Sequence, residues 1–215
     1  MLAGRQRPPY LLADLAADTA GLLKELGADR AHLVGASMGG MIAQQLTIDH
    51  PGLVLSLCSI MSTTGDPAVG RSAPEAAALL GRPPATGREE AVANTVRMTR
   101  AIGSPAFPTT DEERLRRATA KYDRAYRPFG TLRQFAAILG SPDRTEALRG
   151  VTVPTLVVHG EEDPLIGVSG GRATAAAVPG AELLVVPGMG HDLPREVWPQ
   201  VIDAIVRNTE RAGHR

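Results

Sequence analysis

Apolar positions along the chain recur with two different periods. Residues 10–26, YLLADLAADTAGLLKEL, place Leu11, Leu12, Leu15, Leu22, Leu23 and Leu26 at helical spacing, with Gly27 where a C-terminal cap belongs. Residues 31–36, AHLVGA, predict a short buried strand, and 39–49 predict a helix that stops before Pro51. LVLSLCSIM at 53–61 predicts another strand, of the continuously apolar kind found inside parallel sheets. After Thr63 the pattern changes. Residues 65–150 hold many prolines and glycines and predict helices over 73–81, 88–102, 111–125 and 129–139, with no convincing strand. PTLVVHG at 154–160 restores a strand; 168–178 predict a helix, 181–187 a strand and 195–211 a last helix.

Strand and helix therefore alternate, are interrupted, and alternate again. Alternation predicts an α/β fold, a parallel sheet flanked by helices. Residues 1–64 and 151–215 would form its core, and 65–150 a helical cap laid over the sheet, not a second domain with its own core. Right-handed crossovers put all strand C-termini on one edge, where α/β proteins place their chemistry.

Composition narrows the function. The 215 residues are 43% hydrophobic and 21% charged, enough apolar material for one buried core. With 23 basic and 23 acidic side chains the formal net charge is zero, which argues against a nucleic-acid partner. Arginine dominates the basic residues; the only lysines are Lys24 and Lys121. Cys58 is the single cysteine, so an intrachain disulfide or a cysteine-based metal site is excluded, and no metal or organic cofactor is expected. The first residues, MLAGRQRPPYLL, lack the apolar stretch of a signal peptide, and no run nears the ~20 apolar residues of a membrane span. The expectation is a cytoplasmic protein with no membrane partner.

Gly35-Ala36-Ser37-Met38-Gly39 matches G-x-S-x-G at a strand-to-helix junction. A serine on so sharp a turn needs small neighbours, which Gly35, Gly39 and Gly40 supply. The helix start aims the backbone N–H of Met38 at the serine oxygen, as an oxyanion donor would be aimed. The bland alternative is a serine that only caps the helix. A serine nucleophile needs a base, held in turn by a carboxylate. Of five histidines, His32, His50 and His214 lie at a strand start, a helix end and the tail. His159 ends a strand, where a packed or hydrogen-bonded role fits better. His191, in PGMGHDLP, follows the last strand on a loop freed by Gly188 and Gly190, and is the preferred base. Asp163, in HGEEDPL, lies 28 residues before it and is the preferred acid. Glu161 and Glu162 are nearby, but Asp163, next to Pro164, is more firmly positioned; Asp192 is better read as a loop residue, and Asp66 is the alternative acid. Ser37, Asp163, His191 is the chain order of one known hydrolase architecture.

HLVGASMGGMIAQQLTIDHP, SIMSTTGDP, PTLVVHGEEDPLI and PGMGHDLP resemble the serine α/β-hydrolase family, in particular its bacterial carboxylesterases of the aclacinomycin methylesterase-like kind. The resemblance runs from about Tyr10 to Val206. It implies Ser37 as nucleophile, Asp163 as acid, His191 as base, and a small-molecule ester as substrate. The serine excludes relatives that carry aspartate at the elbow. Thioesterase, lactonase, C–C hydrolase and perhydrolase chemistry stay open, since fold does not choose among them.

The family pattern has more sheet before this elbow, about 60–80 residues at ordinary element lengths. The fold expected here is therefore an N-terminally truncated α/β-hydrolase, a half-sheet whose edge is strand 31–36. No HG or GG precedes Ser37, so a second oxyanion donor is missing, a loss of about 3–4 kcal/mol in the transition state. Three explanations stand: a start assigned too far downstream, which is favoured; a genuine truncation; or pairing of the open edge with itself or a partner. The rival to an active hydrolase is a weak or inactive hydrolase-like chain that binds a ligand or partner.

Overall fold

The computed structural model describes residues 8–213. The readings of residues 1–7 as free of a signal sequence and of His214 as a tail residue lie outside them. Four strands form one parallel sheet in the order β1 (Ala31–Ala36), β2 (Val54–Ile60), β3 (Thr155–Gly160), β4 (Glu182–Val186). In-register neighbours include Val34 with Cys58, Cys58 with Leu156, and Leu156 with Glu182. All three pairings are parallel, so every strand C-terminus lies on one edge, as the alternation predicts.

Side chains two apart share a sheet face. Cys58, Ile60, Leu156 and Val158 pack on Val197, Val201 and Ala204, the latter two on α9 (Trp198–Glu210). The opposite face meets α2 (Met38–Asp49) and α8 (Ser169–Ala177). There Gln44 donates to Ser59 Oγ at 3.0 Å, and the His159 ring lies against Gly171, where any Cβ would overlap it. Helix α1 (Leu12–Glu25) packs on α2. Asp14 Oδ2 accepts the Leu11 N–H at 2.7 Å at its start, and Gly27, at φ +68°, caps its end. Burial raises the Cys58 thiol to about 12, the inert core cysteine the sequence predicts.

Between β2 and β3 the chain forms α3 (Pro74–Leu80), α4 (Arg88–Ile102), α5 (Asp111–Arg124), α6 (Pro128–Gly140) and the short α7 (Thr145–Leu148). The first four match the predicted helices to within two residues at each end. α7 has four residues, too few for a periodic signal. Among the described residues this span holds no strand. Arg144 is buried beneath it with carbonyl and amide acceptors: Thr63 O at 3.0 Å and Gln44 Oε1 at 3.3 Å. Burial, partly offset by Asp143, lowers its guanidinium to about 10.

Two expectations are corrected. Strand 31–36 forms but is not buried: of its residues only Gly35 is, and Val34 is 52% exposed. It lies at the sheet edge, and α9 packs on β2 and β3, so the face carrying His32, Val34 and Ala36 stays open. Of the aromatics in the 65–150 span, for which core packing is the sequence expectation for most and pocket lining the alternative, Phe129 packs in no core; it is 68% exposed on α6. Phe107 does pack against the α9-side core, and Tyr122 stacks on Tyr126 at 4.8 Å between ring centres. No described helix is long and apolar enough to cross a membrane.

Candidate active site

β1 ends at Ala36, and the next residue turns sharply into α2. Ser37 sits at φ 55°, ψ −121°, a conformation costly for any side chain and held here by its surroundings. Its N–H donates to Ile60 O at 2.9 Å, and its own carbonyl accepts from Gly40 and Met41. A Cβ at Gly35 would overlap the Gly39 carbonyl, and one at Gly40 would lie 2.7 Å from Ser62 Cβ. Gly39 differs from the expectation: a Cβ there would meet nothing within 4 Å. The close approach is thus made by Gly35 and Gly40. The Ser37 side chain makes no capping bond, which removes the bland reading of this serine. Met38 is the first residue of α2, so its N–H has no carbonyl one turn back to bond.

Ser37 Oγ lies 3.0 Å from His191 Nε2, and His191 Nδ1 lies 2.7 Å from Asp163 Oδ2. The three residues, 154 positions apart at the extremes, form one hydrogen-bonded line. The tautomer that satisfies it carries the proton on Nδ1, donating to Asp163, and leaves Nε2 to accept from the serine hydroxyl. Asp66, the alternative acid, instead accepts the Ala68 N–H at 2.8 Å in its own loop. His32 pairs with Ser56 Oγ at 2.8 Å and His50 caps the end of α2.

Asp163 is held on all sides. Oδ1 accepts the N–H groups of Leu165 at 2.8 Å and Ile166 at 2.9 Å. Burial pushes its carboxyl up. The hydrogen bonds from His159 and His191, the charge of His191 and the Ile166 N–H outweigh that and bring it to about 2. His159 is a supporting residue that sequence reasoning gave a packed or hydrogen-bonded role without naming its partners. It is fully buried, its Nε2 donates to Ile166 O at 2.7 Å, and the same nitrogen lies 3.5 Å from Asp163 Oδ2. His159 therefore fixes both the carboxylate and the turn that orients it.

The loop bearing His191 is bolted to the end of α4. The His191 N–H donates to Ile102 O at 2.7 Å, and the Gly190 N–H to Ser104 Oγ at 2.9 Å. Asp192 Oδ1 accepts both the N–H of Ser104, at 3.1 Å, and its hydroxyl. A Cβ at Gly190 would stand 2.6 Å from the carbonyls of Ile102 and Gly103, which is why glycine is needed there. Gly188 turns at φ +71°. The Gly-Met-Gly spacing before His191 carried the loop; the Ser104–Asp192 clamp had no local signal, because its halves lie 88 residues apart.

Residues 2–204 match the alpha/beta hydrolase family. The chain belongs to that family. It is a hydrolase, and ester hydrolysis is the activity its relatives support. It is 29% identical to the rhodomycin D methylesterase DnrP of Streptomyces peucetius, over 95% of this chain and 75% of that protein. It is 28% identical to the 2-(acetamidomethylene)succinate hydrolase of Mesorhizobium japonicum, over 96% and 73%. Among solved structures it resembles a hydrolase from Pseudomonas aeruginosa, with TM-score 0.69 and 25% identity over 98% of this chain and 76% of that one. It also resembles an N-acyl homoserine lactone-degrading enzyme, with TM-score 0.69 and 28% identity over 96% and 78%.

Proposed function

We propose that this hydrolase cleaves a carboxylic ester through an acyl-enzyme, with Ser37 as nucleophile, His191 as general base and acid, and Asp163 as the carboxylate that holds the imidazole. Ser37 Oγ attacks the ester carbonyl carbon while its proton passes to His191 Nε2. The carbonyl oxygen becomes an oxyanion, to which the Met38 N–H at the head of α2 donates. Collapse expels the alcohol, which takes the proton from Nε2. Water then attacks the acyl carbon, gives a proton to Nε2, and the second collapse frees the acid and returns that proton to Oγ. Asp163 stays ionised throughout and stabilises the imidazolium.

The observation that carries this reading is the continuous line Ser37–His191–Asp163, at 3.0 and 2.7 Å, ending on a serine with positive φ. Residues 65–150 serve as a cap over the substrate. Supporting that role, Ile138 of α6 packs in the cluster that contains Met38 and Leu165, and Ile102 holds the His191 loop. A lactone, an internal ester, is the second reading, favoured by the likeness to the lactone-degrading enzyme. The open face of β1, with Val34 and Ala36 exposed, offers an edge for pairing with a second copy.

A fluorophosphonate probe should label Ser37, as located by peptide mass spectrometry, and Ser37→Ala should abolish labelling. The same substitution should lower turnover of a short p-nitrophenyl ester by about 10⁴-fold or more. A folded wild-type chain that neither labels nor turns over the ester would refute the active-hydrolase reading in favour of a binding role.

A further inference from the structure

Arg114, Arg117 and Lys121 stand three and seven residues apart on α5, the spacing of one helix face. The fold turns that row toward the His191 loop. A cavity of about 170 Å³ between α4 and α5 is bordered by all three cations and by His191 and Asp192. Its far wall is shared with a larger cavity of about 330 Å³: Thr95, Thr99, Ile102 and Lys121 line both. The larger one is mainly apolar, with Leu79, Met98, Tyr126 and Leu132 among its walls.

The charges around the smaller cavity do not cancel. Asp111 is shared by Arg100 at 2.8 Å and Arg114 at 3.3 Å, and Glu113 by Arg116 at 2.7 Å and Arg117 at 2.6 Å. Two carboxylates therefore serve four guanidiniums. Lys121 has no ion-pair partner among the described residues. Asp192, the one carboxylate on the cavity wall, already accepts two hydrogen bonds from Ser104. Arg114 is fixed in place: its side chain is 14% exposed and donates to the Thr109 carbonyl. Arg117 and Lys121 are solvent-exposed at the rim, and the cavity they border is also lined by the proposed base, His191, whose Nε2 is 3.0 Å from Ser37 Oγ.

We propose that these cavities select an ester that carries a free carboxylate, its apolar body in the larger cavity and its carboxylate against Lys121 and Arg117. The inference deepens the ester-hydrolase reading and rests on it. A cationic substrate would meet the excess positive charge of this row, and a neutral one would gain nothing from it. The unpaired Lys121 with a half-neutralised Arg117 matches the single charge of a carboxylate better than a phosphate dianion.

Binding to the Ser37→Ala protein separates this inference from the activity itself. Monomethyl glutarate and dimethyl glutarate, which differ in one charge, are titrated by calorimetry. The monoester should bind about tenfold tighter, a preference of about 1.4 kcal/mol. In the same background, Lys121→Met should erase the preference and Lys121→Arg should keep it, with thermal unfolding showing that both fold. In the Ser37 protein the kcat/KM ratio of monoester to diester should fall about tenfold in Lys121→Met. Equal affinities, no measurable binding of the monoester, or a preference that survives Lys121→Met would overturn the proposal. So would inorganic phosphate displacing the monoester as readily as glutarate does. If the wild type neither takes the fluorophosphonate label nor hydrolyses the p-nitrophenyl ester, the ester reading falls, while the titrations still decide whether the carboxylate site exists.

Discussion

Asp163 shows how much one side chain owes to the turn that holds it. Its carboxyl lies at about 2, below the ~3.9 of an unfolded chain, although burial alone would raise it. A depressed folded value stabilises the fold above the unfolded pKa, and the gain is lost as pH falls through the folded one. Asp163 should therefore contribute about 2 kcal/mol at neutral pH, lost progressively between about pH 4 and pH 2. Urea unfolding of the wild type and Asp163→Asn across pH 2 to 7 would show the gap in stability narrowing below pH 4. A gap independent of pH would show that the carboxylate is not held in this way. At this scale the candidate site was largely legible. Ser37 stood in a glycine-framed junction, and His191 and Asp163 followed later strands in the right order. The partners of His159 were not, since a hydrogen-bonded histidine in a strand does not announce what it bonds. Its bond to Ile166 exists only once the turn after β3 folds back on the strand.

The elbow is a contest between backbone strain and packing space, and its glycines are not equivalent. At Gly35 an added methyl overlaps backbone that has no room to move. Gly35→Ala should cost several kcal/mol or misplace Ser37. Gly39 lies within α2 and faces open space, so Gly39→Ala should be tolerated and gain about 0.4–1 kcal/mol from helix propensity. Thermal unfolding with probe labelling reads both; a destabilised Gly39→Ala would contradict the open space at that position. The helices of 65–150 were readable because their periods run about two turns or more. α7 was too short. The strand 31–36 was found by its apolar letters and misjudged in burial, because apolar composition reports what a strand can bury, not whether a neighbour covers it. The basic row on α5 also went unread: charges at helical spacing usually mark a solvated face, and only the fold turns these toward His191.

Across the molecule, the sheet is asymmetric. Its interior strands are packed on both faces by α9 on one side and α2 and α8 on the other, while β1 borders open space with Val34 half exposed. An apolar edge of this kind favours pairing with a further strand. If a second copy fills that role, sedimentation velocity should show association that grows with concentration, and Val34→Lys should shift the distribution toward monomer. A monomer at all concentrations in the wild type would exclude it. The family is legible from sequence because strand ends, glycines and loop order are local. The proposed carboxylate-bearing substrate is not, because the cavities from which it is argued lie between α4, α5 and α6, whose walls come from segments far apart in the chain.

The bolt between the His191 loop and α4 has a mechanical consequence. Ile102, Ser104 and Asp192 join the end of α4 to the imidazole by four hydrogen bonds, without a flexible spacer. Swinging that end of α4 outward to admit a ligand would drag His191 off Ser37. The C-terminus of α4 is therefore a fixed post, and any gate in this enzyme has to hinge beyond it, in the span that carries α5 and α6. Movement of that span would leave the hydrogen bonds from Ser37 through His191 to Asp163 in place.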